Sequence, residues 1–145
     1  MAGARPVFAA DLNTLSECKP YSESKVIQDL DNAIAAVRKL NQDASTNIDH
    51  AVGLGGGGTK PDSGQKSAFC KQAKTSYDGA YAIERPGGPN LWDKIKTATT
   101  SLDGLQFPDR KCSERLQAEQ KSIKYEEYTL AKRFRGDCLN SLGMF

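Results

Sequence analysis

The chain has 145 residues, 38% hydrophobic and 26% charged, and its 20 lysines and arginines against 18 acidic residues give a net charge of +2. We therefore expect no nucleic-acid partner and no membrane span, since the charge is balanced and no apolar run reaches the ~18 residues that cross a bilayer. One histidine, His50, excludes metal sites that need two. No catalytic or cofactor motif is present, so we predict a protein that is not an enzyme and binds no cofactor.

Residues 1–10 precede the first helical pattern. Small side chains at Val7 and Ala9, ahead of Ala10, resemble the end of a secretory leader, although no apolar segment precedes them. We interpret residues 1–10 as a leader remnant or a disordered tail, and residues 11–145 as one helical domain.

The first helix is predicted from about Ser22, its N-cap, to Val52. Its apolar stripe comprises Val26, Ile27, Leu30, Ile34, Val37, Leu40, Ala44 and Ile48. Six glycines and a proline within residues 53–66 predict a flexible loop. That loop lacks the Gly-Lys-Ser/Thr order of a phosphate-binding loop, so we exclude nucleotide binding.

Three further helices are predicted. The second runs from about Ser63 to Arg85 and ends at a Pro-Gly-Gly-Pro sequence. The third is capped by Asn90 and ends before a glycine at position 104. The fourth, the longest, covers about residues 108–143. No segment alternates with the period of a strand, so we predict an all-α fold: an up-down-up-down four-helix bundle with two long and two shorter helices.

Four widely spaced cysteines, Cys18, Cys70, Cys112 and Cys138, form no CxxC motif. Their even number and spread predict two disulfides and an oxidising compartment: the cell exterior, a periplasm or an organelle lumen. Four buried free thiols in a cytosolic protein are the alternative. In an up-down-up-down bundle, the second and fourth helices start at the same end. The predicted pairs are therefore Cys18–Cys138 and Cys70–Cys112.

Basic and aromatic residues gather on the fourth helix. Together with Glu126 and Glu127 they give this stretch a charge of +3. They are Lys121, Lys124, Tyr125, Tyr128, Lys132, Arg133 and Arg135. We interpret them as a docking surface for an acidic protein partner; the alternative is an ordinary solvated helix face.

Aromatic residues of the second and third helices form the other candidate site. Phe69, Tyr77, Tyr81 and Trp92 are expected either to line a pocket for a small apolar ligand or to be core residues. The sequence thus favours a secreted or lumenal protein that acts by protein–protein binding, as an effector, inhibitor or accessory subunit. A carrier of a small apolar ligand is the alternative.

Overall fold

The computed structural model describes residue 12 and residues 14–53, 61–82, 90–103 and 110–138, with side chains of 101–103 left out. It confirms the predicted all-α bundle of two long and two shorter helices, and these ranges contain no strand. The four helices are α1 (Lys25–Ala51), α2 (Ser63–Tyr81), α3 (Leu91–Asp103) and α4 (Arg110–Arg133). A short 3₁₀ helix (Ser16–Tyr21) precedes α1, and a π-helical turn (Phe134–Cys138) follows α4. None of the helices described is apolar enough over a sufficient length to cross a membrane.

Several predictions fall outside this description. The expected tail at residues 1–10 and residues 54–60 of the glycine-rich segment lie outside the described residues. The same holds for residues 83–89, which include the predicted end of the second helix, and for residues 139–145.

The ends of α1 are set by local hydrogen bonds. Its N-cap is Ser24, whose hydroxyl accepts a hydrogen bond from the Ile27 N–H at 3.4 Å, and not the predicted Ser22. Ser22 still belongs to the preceding turn, since its N–H donates to the Lys19 carbonyl at 3.0 Å. At the other end, Gly53 adopts a φ of 83°, the left-handed conformation that glycine favours just after a helix.

The shorter helices carry clear caps. Asp62 and Gln65 form a reciprocal capping box at the start of α2, with N–H to side-chain distances of 2.8 and 3.0 Å. The predicted cap Asn90 is confirmed, because its Oδ1 accepts from the Asp93 N–H at 2.7 Å. The Asn90 amide also donates to the carbonyls of Tyr81 and Ala82, so α3 begins beside the end of α2.

The two disulfides join Cys18 to Cys112 and Cys70 to Cys138, so the predicted pairing is wrong. The reason lies in the direction of α4. Cys18 lies before α1, and Cys112 lies in the first turn of α4. Their Cα atoms are 4.6 Å apart, so both helices start at the same end of the bundle. Helices α2 and α3 lie one after the other along α1, and both run antiparallel to it. Helix α4 then runs parallel to α1. The predicted alternation had placed Cys112 at the opposite end from Cys18.

The interior is divided into two apolar clusters. The first core lies at the start of α1 and α4 and contains Leu15, Cys18, Ile27, Leu30, Ile34, Val37, Ala80, Tyr81, Ile95, Cys112, Leu116 and Ile123. The second core lies at the other end and contains Ala44, Ile48, Ala51, Cys70, Ala73, Leu130, Phe134 and Cys138. Each core therefore encloses one disulfide, and all four cysteines are fully buried.

The buried stripe of α1 differs from the predicted one. Val26 is 39% exposed and Leu40 is only partly buried, whereas Asp31, Asn41 and Ala51 are buried without having been predicted. Apart from Asp31, the buried residues recur at intervals of three and four residues, from Ile27 through Asn41 to Ala51. Asn41 thus occupies a core position, where its polar side chain needs partners.

Candidate functional site

A polar layer separates the two cores. Tyr81 donates a hydrogen bond from its hydroxyl to Asn41 Oδ1 at 2.7 Å, and the Asn41 amide donates to Glu126 at 2.8 Å. Tyr77 donates to Glu127 at 2.6 Å. Burial raises the pKa of both tyrosine hydroxyls; the bond to Glu127 raises that of Tyr77 further, whereas the bond to Asn41 opposes the rise at Tyr81.

Arg38 of α1 ties this layer to α4. Its guanidinium donates to Glu119 at 2.6 and 3.0 Å and also to Glu126. Burial works to lower the pKa of Arg38, but the hydrogen bonds and negative charges of these two glutamates outweigh it and raise the pKa overall. Glu119 is 7% exposed and is also flanked by Arg115, whose Nε lies 2.9 Å away without hydrogen-bond alignment. The carboxylate is therefore held between two cations.

The outer side of α4 carries most of the predicted docking surface. Tyr125 and Tyr128 are 69% and 58% exposed, and with Val26 they are the large hydrophobic residues that the described surface exposes most. The four cations beside them are also exposed. We call the following six residues the basic face: Lys121, Lys124, Tyr125, Tyr128, Lys132 and Arg135.

The basic face has a higher charge than the sequence indicated. Glu126 and Glu127, which lowered the predicted net charge of this stretch, both point into the polar layer, where Arg38, Asn41 and Tyr77 bind them. The face itself therefore carries four positive charges. None of its cations makes an ion pair with an acidic residue in the described parts of the chain.

Arg133 does not belong to this face. Its guanidinium turns towards α1, donates to Asp49 at 2.7 Å and to the Ser45 hydroxyl at 3.0 Å, and lies 3.7 Å from Asp137. This arginine joins the two long helices instead of facing solvent. The predicted surface thus retains six of its seven residues.

A groove of about 490 Å³ runs between α1 and α4, next to the basic face. Its lining comprises Arg38, Asn41, Gln42, Ser45, Tyr125, Glu126, Thr129, Leu130 and Arg133. Tyr125 belongs both to the groove and to the basic face, so the two features are continuous. The contributions of α1 were missed from the sequence, although the spacing of Asn41 within the buried stripe of α1 marks it as a polar residue at a core position.

The four aromatic residues of the predicted pocket are divided between the two cores, with Tyr81 in the first. Phe69 packs against the second core and Trp92 against the first, while Tyr77 contacts both. Tyr77 packs 5.0 Å from Tyr81 and 5.4 Å from Phe134, measured between ring centroids. Neither the α1–α4 groove nor a second groove between α1 and α3 is lined by any of the four.

Comparison with known proteins adds no relative: no protein-family model, curated protein or solved structure matches the chain. Within the described ranges, no three His, Cys, Asp or Glu side chains are grouped closely enough to hold a metal ion. The basic face and the adjoining groove are therefore the features of the chain that bear on its function.

Proposed function

We propose that this protein acts by binding an acidic protein partner through the basic face of α4. The observation that carries the proposal is the exposure of Tyr125 and Tyr128, at 69% and 58%, among four cations that form no ion pair with any acidic residue of the described ranges. Tyrosine combines a large apolar ring with a hydroxyl and is enriched among the residues that dominate protein interfaces. Unpaired lysines around it favour an acidic partner and speed association.

The scaffold behind the face supports this role. The opposite side of α4 carries Cys112, Leu116, Ile123 and Leu130, all buried, and the disulfides tie α4 to the rest of the chain near both of its ends. A rigid helix presents its side chains with little ordering cost on binding. The basic face is therefore a preorganised surface on which a partner needs to adapt only its own side chains.

The two disulfides are those of a protein in an oxidising compartment. We infer further that the protein is secreted or lumenal and that it is a non-enzymatic effector, inhibitor or accessory subunit. The basic face supports a binding role, because it exposes two tyrosines among four cations. The described carboxylates nearest that surface are held by Arg38, Asn41 and Tyr77.

Photocrosslinking in the native compartment tests this proposal. p-Benzoylphenylalanine replaces Tyr128 in one variant and the exposed Lys71 of α2 in the control. We expect the position-128 variant alone to capture a particular protein, which is then identified, purified and titrated against the unlabelled chain.

The second step measures the charge dependence of the purified complex. The variant Lys121→Glu/Lys124→Glu/Lys132→Glu should weaken binding roughly 10- to 100-fold, because an exposed charge contributes up to about 1 kcal/mol. The matched control reverses three exposed lysines outside α4, Lys19→Glu/Lys71→Glu/Lys94→Glu, and should leave affinity nearly unchanged. Equal loss in both variants, or the absence of any position-specific capture, would contradict the proposal.

A further inference from the structure

Four exposed residues of α4 follow a regular interval. Lys121, Tyr125, Tyr128 and Lys132 are separated by four, three and four residues, whereas Arg135 belongs to the π-helical turn that follows α4 and lies outside this row. This is the 3–4 spacing by which one helix presents a straight row of side chains to another. The row places two aromatic rings at its centre and a cation at each end. Its four residues from 121 to 132 span about 16 Å of helix axis.

We propose that the basic face receives an acidic amphipathic helix of the partner protein, packed along α4 as in a two-helix coiled coil. This inference rests on the proposed function and specifies its partner. The docked helix places apolar side chains against Tyr125 and Tyr128, and glutamates or aspartates against the flanking lysines. Knobs-into-holes packing of this kind requires side chains on both helices to recur at the same interval.

The repeat distance favours a helix over an extended segment. Successive residues of the row lie about 5 Å apart along the axis of α4, and a partner helix repeats at that same distance. An extended strand presents residues of one face about 7 Å apart. Over the length of the row, a strand falls out of register by about one side chain, and so loses either the tyrosines or a flanking lysine.

The charge pattern favours a protein helix over a uniformly anionic chain or membrane. Positive charge is concentrated at Lys121 and Lys132 on either side of the tyrosines, with Lys124 beside them. A uniformly anionic chain or membrane would also place charged groups against the apolar rings of Tyr125 and Tyr128. The groove beside Tyr125, about 490 Å³ between α1 and α4, adds space for one large partner side chain. The face thus matches a partner with an apolar centre and acidic flanks.

A designed peptide tests the inference on the intact protein. The probe is a lactam-stapled helix with leucines at its two central facing positions and glutamates at the flanking ones, and binding is followed by fluorescence anisotropy. We expect the stapled helix to bind roughly tenfold or more tightly than its scrambled sequence or polyglutamate. Tyr125→Ala/Tyr128→Ala should weaken binding by about tenfold.

A charge swap supplies the control for specificity. Lys121→Glu/Lys124→Glu/Lys132→Glu should lose the acidic helix and gain the same helix with lysines in place of its glutamates. The triple variant Lys19→Glu/Lys71→Glu/Lys94→Glu should retain the acidic helix. Circular dichroism of each variant verifies that the fold is intact.

The opposing outcomes separate this inference from the proposed function. If polyglutamate binds as well as the stapled helix, or phosphatidylserine vesicles bind through the tyrosines while the helix does not, the helical partner is wrong. If a protein captured at position 128 is crosslinked through a segment that is not an acidic helix, the inference fails and the proposed function stands. If the peptide does not bind and no protein is captured, both fail.

Discussion

The two ends of the bundle are packed in different ways. The first core is filled by many aliphatic side chains of similar size. They come from α1, α3 and α4, for example Ile34, Ile95 and Leu116, and from Leu15 just before the 3₁₀ helix. The second core relies on alanines of α1 and α2, with Phe134 as its largest buried side chain. Alanines let α1 and α2 approach closely, but they leave few large groups to exclude water. The second end therefore depends more heavily on one aromatic ring and one disulfide.

Removal of each disulfide should have the largest effect on stability. Cys18 and Cys112 are 94 residues apart, and Cys70 and Cys138 are 68 apart, so chain entropy predicts about 4 kcal/mol for each. Because these entropic contributions nearly match, chemical denaturation of the two double Cys→Ala variants compares the two ends directly. We expect the Cys70/Cys138 variant to be the less stable. Equal stability would show that the second core is as robust as the first.

Large-to-small substitutions compare the packing of the two cores. Phe134→Ala should lower the free energy of unfolding by about 3–5 kcal/mol, because its ring is the largest fully buried side chain of the second core. Leu116→Ala or Ile123→Ala in the first core should cost about 2–5 kcal/mol, because both side chains are buried there. Urea unfolding of the variants measures both. A near-neutral result at Phe134 would show that the second core is not packed around it.

The polar layer between the cores should make stability fall at high pH. The folded-state pKa of Tyr77 and Tyr81 is raised, so the unfolded chain, with tyrosine pKa values of about 10, loses these protons first. Between about pH 10 and the folded-state values, the unfolded state binds fewer protons, and stability decreases as pH rises. Thermal unfolding measured across this range checks the sign. Tyr77→Phe/Tyr81→Phe should flatten the decline relative to the wild type.

Substitution on the basic face should leave both ends unchanged. Tyr125→Ala/Tyr128→Ala removes exposed rings, so we expect a change within about 0.5 kcal/mol in the free energy of unfolding. Differential scanning calorimetry measures it. A loss as large as that of a core variant would indicate that these tyrosines stabilise the bundle rather than serve a partner.

The smallest expected response is the change in Trp92 fluorescence that tests the alternative function, a carrier of a small apolar ligand. Trp92, the single tryptophan of the chain, packs against the first core, and Phe69 packs against the second. A ligand held among the predicted pocket residues would have to part these packed rings. We expect Trp92 fluorescence to stay constant during titration with fatty acids or aromatic probes. A saturable shift in emission would favour the carrier and show that the interior opens.

The candidate site was only partly predictable. Six residues of the basic face were found from sequence because exposed positions on one helix share a 3.6-residue period. Arg133 was misassigned, since its sequence neighbours do not reveal that Ser45 and Asp49 lie within its reach. The groove could not be predicted because four of its nine lining residues come from α1, which lies far from α4 in the sequence.

Local sequence signals predict the four helices, the Asn90 cap and the presence of two disulfides. Periodicity and capping depend on residues within one or two turns of each other, so they can be read locally. The tertiary structure settles which cysteines pair, because the direction of α4 relative to α1 depends on where α3 ends. It also decided the charge of the basic face. Glu126 and Glu127 turn inward because Arg38, Asn41 and Tyr77, all distant in sequence, bind them in the polar layer.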